Sequence, residues 1–169
     1  VPGINLTSAE AAERSKNLKI HHYQVDLDVT KGAETFYSKC VVTFSATPGS
    51  KTFIDACAKK VISAKLNGKD VDVSNYDGES IFLTDLAAEN ELVIELESIY
   101  SKTGEGLQRS VDPVDNEVYL YSQGETAFIR KMYPCFDQPD LKASFEQISL
   151  IKLSLGPIST IVVGNCICL

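Results

Sequence analysis

Residues 117–139, EVYLYSQGETAFIRKMYPCFDQP, open as an extended strand and continue through a short polar segment into a Cys-Phe-Asp turn. Side chains at alternate positions of a strand point to the same side, so Tyr119, Tyr121, Gln123 and Glu125 are predicted to share one face. Two aromatic rings beside an amide and a carboxylate fit a binding surface, part of an active site, or ordinary packing. The rest of the chain has to distinguish these interpretations.

The length of the chain bears on the number of domains, and its charge bears on the kind of partner it can bind. The 169 residues are enough for one domain with one good core, so residues 1–169 are treated as a single domain. The formal net charge is −7 and the pI is about 4.8. Nucleic-acid binding needs clustered Lys and Arg, whereas the basic residues here are spread singly among acidic ones. We therefore predict no nucleic-acid partner.

Alternation of apolar and polar residues dominates the chain after its first twenty residues. Asn67-Gly68 lies between VISAKL and KDVDV and predicts a tight hairpin, and Pro48-Gly49 predicts another turn. Short strands separated by turn signals at this spacing indicate an all-β sandwich. The strands are predicted at residues 23–30, 40–44, 52–56, 80–84, 91–97 and 117–122.

One short helix is predicted near the N-terminus. Thr7 and Glu10 have the spacing of a capping box, and good helix formers follow them. Asn5-Leu6-Thr7 is also a formal glycosylation acceptor. We favour the helix cap.

The stretch 103–116, TGEGLQRSVDPVDN, is predicted to be a long exposed loop. Asp112, Asp115, Asn116 and Glu117 carry oxygen ligands that could hold Ca²⁺. Their spacing fits no known calcium loop, so we favour a solvated turn.

Five cysteines leave at least one unpaired within the chain. Cys40 and Cys57 are placed symmetrically about Pro48-Gly49, so a regular hairpin would set them opposite each other, within reach of a disulfide. The alternative is two small core residues that never oxidise. The sequence from Val1 shows no basic-then-apolar targeting segment, and the missing Met fits either a removed secretion signal or trimming of the initiator Met. We expect a secreted protein, with a cytoplasmic one as the alternative.

The tail, residues 147–169, is strongly apolar and carries one charge, Lys152. Gly156 and Pro157 also interrupt the apolar run, which is then too short to span a bilayer. We predict buried strands at the end of the sandwich and no membrane span.

Several blocks of the chain resemble, in order, the amino-terminal domain of the aminopeptidase N family of zinc peptidases. The resemblance covers roughly residues 3–146, while residues 147–169 diverge. It runs through NLTSAEAAERS, HHYQVDLDV, FIDA and GLQRSVDPVDNEVYLYSQGETAFIRKMYPCFDQPDLKASF. It implies a twisted β-sandwich that packs over a catalytic metallopeptidase domain.

The resemblance also implies a role for the opening stretch. The family carries a Gln-x-Glu or Gln-x-Gln segment that lines the active site and helps hold the free amino group of the substrate, and Gln123 and Glu125 match these positions. An amide oxygen and a carboxylate can both accept hydrogen bonds from an ammonium. By the same resemblance, Arg130 and Cys135-Phe136-Asp137 belong to the scaffold.

The residues of the family's chemistry are missing from this sequence. Zinc peptidases of this type need an H-E-x-x-H helix, and the two histidines here, His21 and His22, are adjacent and predicted to lie on opposite faces of a strand. The family's Gly-Ala-Met-Glu-Asn loop is absent as well, because Met132 is the only methionine. We predict no catalytic residues, no bound metal, no cofactor and no enzymatic activity of the chain alone.

Two functions remain. The first is a stand-alone, non-catalytic binding protein whose face of Tyr119, Tyr121, Gln123 and Glu125 takes a saccharide, such as a microbial-surface glycan, or a peptide. The second is a subunit or truncated product that docks on a zinc aminopeptidase catalytic domain and contributes to substrate amine binding. The second predicts an exposed apolar patch on the docking face.

Overall fold

The computed structural model describes residues 6–125, 127–151 and 159–163, and the surroundings of side chains for residues 6–125 and 127–146. The chain begins with helix α1, Ser8–Asn17. The Thr7 side chain accepts a hydrogen bond from the Glu10 amide at 3.3 Å, and the Glu10 carboxylate accepts one from the Thr7 amide at 2.8 Å. The predicted capping box is confirmed, and it satisfies two amides that a helix start leaves open.

Strands make up most of the remaining described chain, as predicted for an all-β fold. Seven of them form one sheet in the order β11-β10-β1-β2-β7-β4-β5, and β3-β6 and β8-β9 form two-stranded sheets. A short 3-10 turn, Ile129–Lys131, follows β9. The strands are β1 Leu18–Asp28, β2 Thr35–Ala46, β3 Thr52–Asp55, β4 Lys60–Leu66, β5 Lys69–Asp70, β6 Ser80–Leu83, β7 Glu89–Ile99, β8 Gly106–Val111, β9 Val118–Gln123, β10 Ser144–Ile151 and β11 Ser159–Val163.

The core lies between the buried face of the large sheet and the layer formed by β3, β6 and the segment 132–136. Every second residue is buried along most of β2 and β7, and along β1 on either side of His21 and His22, which is the period of a half-buried strand. Phe44 of β2 packs edge-to-face against Phe136 at 5.3 Å between ring centroids, and the Phe136 amide donates to the Tyr23 hydroxyl at 3.0 Å. The predicted β-sandwich with a short N-terminal helix is confirmed.

Asp55, at the end of β3, joins three parts of the chain in the interior. Its carboxylate accepts hydrogen bonds from Arg14 of α1 at 3.2 Å and from the Asp137 amide at 3.1 Å. Arg130 of the 3-10 turn forms an ion pair with the other carboxylate oxygen at 3.8 Å. Both arginines and Asp55 are buried. The scaffold role that the resemblance implied for Arg130 and for the Cys-Phe-Asp turn is therefore confirmed.

The predicted hairpin at Asn67-Gly68 and the predicted turn at Pro48-Gly49 are both confirmed, but the strands on either side of Pro48-Gly49 do not pair with each other. β4 and β5 pair across Asn67 and Gly68, which have φ values of 51° and 77°. A turn does form at Pro48-Gly49, but β2 pairs with β1 and β7, whereas β3 crosses to the other layer and pairs with β6. The turn residues mark a reversal of direction without deciding which strands pair.

The predicted disulfide between Cys40 and Cys57 is wrong for the same reason. Cys40 is fully buried in β2, opposite Val25 of β1 and Ile94 of β7. Cys57 follows β3, and its thiol donates to the Glu79 carboxylate at 2.8 Å. Both are free cysteines, so the alternative of two unbridged residues holds, and one ground for expecting a secreted protein is lost.

The predicted loop at 103–116 is half strand. Residues 106–111 form β8 and pair with β9, which leaves a turn at 112–117. In the tail, β10 pairs in parallel with β1, and β11 pairs with β10 at the edge of the large sheet, so strands are present there as predicted. The burial predicted for them lies outside the described side chains. Among the described residues no helix has the length and apolar character needed to cross a membrane.

Candidate functional site

The candidate site lies on the antiparallel hairpin of β8 and β9. Directly opposed residues of such a pair place their side chains on the same face. Tyr119 lies opposite Ser110, Tyr121 opposite Gln108, and Gln123 opposite Gly106. The hairpin thus brings the two tyrosines and Gln123 together on one face, as the sequence predicted.

Glu125 departs from that prediction. β9 ends at Gln123, and Glu125 lies in the turn that follows Gly124, so strand alternation does not fix the direction of its side chain. Gln123 and Glu125 are both exposed. They form a pair of hydrogen-bond acceptors at the end of the hairpin rather than a continuation of the tyrosine row.

Two glycines allow the 3-10 turn to approach this end of the hairpin. A Cβ on Gly124 would lie 2.5 Å from Cγ1 of Ile129 and closer still to Cδ1. A Cβ on Gly106 would lie 2.8 Å from Cβ of Lys131, and Gly106 also has a φ of +73°, which other residues rarely adopt. Gly106 lies opposite Gln123 on the paired strand, and Gly124 follows Gln123 in the chain. The close packing at Gly106 restricts the backbone opposite Gln123, whereas at Gly124 it is the end of the Ile129 side chain that approaches.

The 3-10 turn is in turn fixed to the rest of the fold. The Phe128 amide donates to the Gly124 carbonyl at 2.9 Å, and Lys131 pairs with Glu105 while its ammonium lies 4.9 Å from the Phe128 ring centroid. Arg130 connects the turn to the buried Asp55. Gly124, which precedes Glu125, is thereby connected through the 3-10 turn to the buried Asp55.

β9 is exposed on both of its faces, unlike β1, β2 and β7. Tyr119 and Tyr121 are about half exposed, at 52% and 51%, on one face, and Val118 is 46% exposed on the other. Val111 lies opposite Val118 and adds to this second face, and Val114 is exposed in the turn between β8 and β9. The tyrosines are therefore not core residues, which was the alternative for them.

The aspartates of the turn between β8 and β9 accept hydrogen bonds from residues of the same hairpin. The Asp112 and Asp115 carboxylates accept hydrogen bonds at 2.8 Å from the amides of Val114 and Glu117. Asp115 also accepts from the Tyr119 hydroxyl at 2.9 Å, and this bond raises the pKa of Tyr119. These contacts agree with a solvated turn rather than a calcium loop.

The two histidines lie on one face of β1, which contradicts the prediction of opposite faces. The register with β2 shifts between Ile20 and His22, so the strand has an irregularity at His21. Both histidine rings are half-buried, and the residues on either side of them, Ile20 and Tyr23, point into the core. They nevertheless diverge: His21 Nε2 lies 2.5 Å from Ser45 Oγ in β2, and His22 Nδ1 lies 2.8 Å from Ser144 Oγ in β10. Across the described ranges, no group of His, Cys, Asp and Glu side chains could hold a metal.

The sequence of this chain is similar to those of known proteins. Residues 19–154 match the model of the Peptidase M1 N-terminal domain. The chain belongs to this family. Over 151 residues it is 40% identical to aminopeptidase N of Streptomyces lividans, covering 86% of this chain and 18% of that protein. Over 132 residues it is 26% identical to leucine aminopeptidase 2 of Candida albicans, covering 76% of this chain and 21% of that protein. The chain therefore spans about a fifth of the length of these curated relatives.

Solved structures of M1 peptidases share the fold. Yeast LTA4 hydrolase in complex with bestatin superposes with a TM-score of 0.67 at 15% identity, over 96% of this chain and 28% of that one. An M1 zinc metallopeptidase mutant from Deinococcus radiodurans superposes with a TM-score of 0.60 at 23% identity, over 79% and 32%. The resemblance recognised in the sequence is confirmed, and this chain corresponds to the non-catalytic N-terminal domain.

Sequence reasoning missed the residues that fix the site. Gly106, Gly124 and Ile129 were not singled out, although a glycine between Gln123 and Glu125 was a visible signal of close backbone approach. Gln108 was missed as well. It is buried opposite Tyr121, on the same face of the hairpin, and its side chain accepts from the Gly104 amide at 2.8 Å.

Proposed function

We propose that this chain works as the N-terminal domain of an M1 aminopeptidase. It docks on a zinc-bearing catalytic domain through the β8–β9 hairpin, and there Gln123 and Glu125 accept hydrogen bonds from the terminal ammonium of a peptide substrate. The observation that carries the proposal is the exposure of β9 on both faces. A hairpin with this surface is suited to being covered by another domain.

Physical chemistry supports the docking step. A two-stranded hairpin is marginally stable when it is isolated from other layers. An exposed apolar surface rimmed by polar residues is typical of a protein–protein contact. Here the apolar side chains are Val111, Val114, Val118, Tyr119 and Tyr121, and the acids Asp112 and Glu117 lie at the rim.

The two acceptors support the amine-binding step. A carboxylate that accepts a hydrogen bond from an ammonium makes a charge-assisted bond, which is stronger than a neutral one, and the Gln123 amide oxygen adds a second acceptor. The Deinococcus radiodurans M1 zinc metallopeptidase mutant has a solved structure with a bound Tyr-Ser-Ala substrate, and that structure superposes on this chain with a TM-score of 0.58. Such a peptide is the substrate class proposed here.

The metal of the reaction has to come with the catalytic domain. His21 and His22 diverge and are bonded to serines, and the sequence holds no further histidine, so this chain's residues do not fit the zinc site of the family. The proposed contribution of the chain is to bind and orient the substrate amine, not to carry out hydrolysis.

A second candidate function is a stand-alone saccharide- or peptide-binding protein. The half-exposed rings of Tyr119 and Tyr121 favour it, because aromatic rings pack against sugars while neighbouring amides and carboxylates bind hydroxyls. Family membership gives a saccharide no support. A secreted location belongs to this second candidate, and a cytoplasmic one stays its alternative.

Docking can be tested with the catalytic domain of the Streptomyces lividans relative, expressed without its own N-terminal domain and checked for folding by circular dichroism. Sedimentation should show a complex with this chain. The Val118→Ser and Tyr121→Ser double variant should weaken it, while Ile62→Ser, an exposed apolar residue of β4, should not. Absence of a complex between two folded partners, or equal loss in the control, contradicts docking through the hairpin.

A further inference from the structure

A cavity of about 400 Å³ lies between α1 and the two-stranded sheet of β3 and β6. No residue of the β8–β9 hairpin lines it. The helix contributes one face, with Glu10, Glu13, Arg14 and Asn17 at the spacing of successive turns. The apolar part of the wall consists of Leu6, Leu18, Phe53, Phe82 and Leu83.

The aromatic part of this wall points away from the core. Phe53 and Phe82 are directly opposed in the β3–β6 register, with ring centroids 6.2 Å apart. Their strand neighbours Ile54 and Ile81 are fully or almost fully buried, whereas Phe82 is 44% exposed. Two phenylalanines therefore form an apolar outer surface that the core does not account for.

The polar part of the wall has unsatisfied groups. Arg14, a buried residue, uses Nη2 to donate to the Phe53 carbonyl at 3.0 Å and to Asp55 at 3.2 Å, and its guanidinium lies over the rings of Phe53 and Phe136, 4.2 and 5.2 Å from their centroids. Among the described residues its Nε and Nη1 have no hydrogen-bond partner. Buried donors of this kind are costly to leave unpaired. In the described part of the chain, Glu13 and Lys51 also lack an ion-pair partner. Glu10 is different, because its carboxylate is bonded to Thr7.

We propose that this cavity binds a small apolar zwitterion, of the class of free amino acids and dipeptides. The ligand's apolar side chain packs on Phe53 and Phe82, its carboxylate lies toward Lys51 and Arg14, and its ammonium pairs with Glu13. A wall that combines apolar rings with an exposed acid, an exposed lysine and two unbonded N–H groups of Arg14 is complementary to this class. The volume lies in the range of ordinary small-molecule sites.

The site itself does not depend on the proposed function. One consequence does: an aminopeptidase releases free amino acids, so a site of this class on its N-terminal domain would fill in proportion to product. Failure of ligand binding here leaves docking through the hairpin untouched, and failure of docking leaves this cavity untouched.

The test is a titration of the ¹⁵N-labelled full chain with phenylalanine and with the dipeptide Leu-Phe, followed by amide chemical shifts. Shifts should concentrate in α1, β3 and β6. N-acetylphenylalanine, which lacks the ammonium, and phenylalanine amide, which lacks the carboxylate, should each bind about tenfold more weakly than phenylalanine, the lower end of what a charge-assisted hydrogen bond contributes.

Variants at exposed positions separate the contacts without disturbing the core. Glu13→Gln should remove the advantage of phenylalanine over its N-acetyl derivative, and Lys51→Gln should remove its advantage over the amide. Phe82→Ala should weaken all ligands several-fold. Ile62→Ala and Lys60→Gln, on β4, are the matched apolar and charged controls and should change nothing.

Two results would overturn the proposal. One is the absence of shifts in α1, β3 and β6 up to the solubility limit of both ligands. The other is binding there with equal affinity for phenylalanine, its N-acetyl derivative and its amide, since the charged groups then play no part. Tighter binding of the dipeptide than of the amino acid would assign the natural ligand to peptides within the same class.

Discussion

Gly124 and Ile129 are in such close contact that a Cβ on Gly124 would lie 2.5 Å from Cγ1 of Ile129. This contact brings the 3-10 turn against the end of β9 and holds Gln123 and Glu125 on either side of the glycine. Gly124 thus holds the turn against β9 both by lacking a side chain and by its carbonyl, which accepts a hydrogen bond from the Phe128 amide at 2.9 Å.

Gly124→Ala should destabilise the domain by about 1 kcal/mol, the lower end of the cost of overpacking, because the atoms that meet the new Cβ are the end of the Ile129 side chain, which can change rotamer. Urea unfolding measures it. Gly32→Ala is the control, because its Cβ would meet only an ordinary contact at 3.9 Å and its φ is not positive. Adding Ile129→Ala to Gly124→Ala should recover part of the loss. If Gly124→Ala is as stable as Gly32→Ala, the close contact does not position the turn.

Asp55→Asn should be far more damaging than the loss of a surface carboxylate. It leaves Arg14 and Arg130 buried without their shared anion, and removing one partner of a buried pair costs about 3–5 kcal/mol. Asp70→Asn, which breaks an exposed pair with Lys65 at 3.8 Å, should change stability little. Equal midpoints in chemical denaturation for the two variants would contradict the central place given to Asp55.

Asp137 should make stability depend on pH. Burial raises the pKa of its carboxyl, the neighbouring Asp55 raises it further, and one of its buried oxygens has no hydrogen-bond partner. A raised folded pKa means that the contribution of Asp137 is fully present below the unfolded pKa of about 3.9 and is lost as pH rises through the folded value. Relative to Asp137→Asn, the unsubstituted chain should therefore lose free energy of unfolding as pH rises above about 4. A constant difference across that range contradicts the shift.

Cys40 and Cys57 should be unbridged and unreactive in the folded state. Burial is the main cause that raises the pKa of Cys57 to about 12, and the hydrogen bond to Glu79 adds to it. Alkylation at pH 8 should therefore modify both thiols only after unfolding. Peptide mapping without reductant checks this, and a linked peptide containing both cysteines would contradict the structure.

Local patterns predicted the local structure well. Alternation identified β1, β2, β6, β7 and β9, and capping and turn residues identified α1 and the Asn67-Gly68 hairpin, because each pattern reports a neighbour close in sequence. Pairing partners were harder: nothing near Pro48-Gly49 shows that β3 leaves β2 for β6, and the disulfide prediction failed with the hairpin.

Exposed and irregular elements were the other failures. The sequence of β8, GLQRSV, is polar and was therefore predicted to be part of a loop. It is a strand because it pairs with β9. The irregularity at His21 is set by the pairing of β1 with β2, which sequence alternation cannot show. In the site, the residues Gln123 and Glu125 came from family resemblance, whereas the close approaches of Gly124 to Ile129 and of Gly106 to Lys131 required coordinates.

The most direct test of the central claim uses a chimera in which this chain replaces the matching segment of the Streptomyces lividans aminopeptidase N. The chimera should hydrolyse an aminoacyl chromogenic substrate, while this chain alone should not. Glu125→Gln should raise KM, or lower kcat/KM, by roughly 10- to 150-fold, the value of a hydrogen bond to a charged group. Glu117→Gln, an exposed acid on the same hairpin, should change neither. A folded but inactive chimera, or equal kinetics for Glu125→Gln and Glu117→Gln, would contradict the claim that this domain holds the substrate amine.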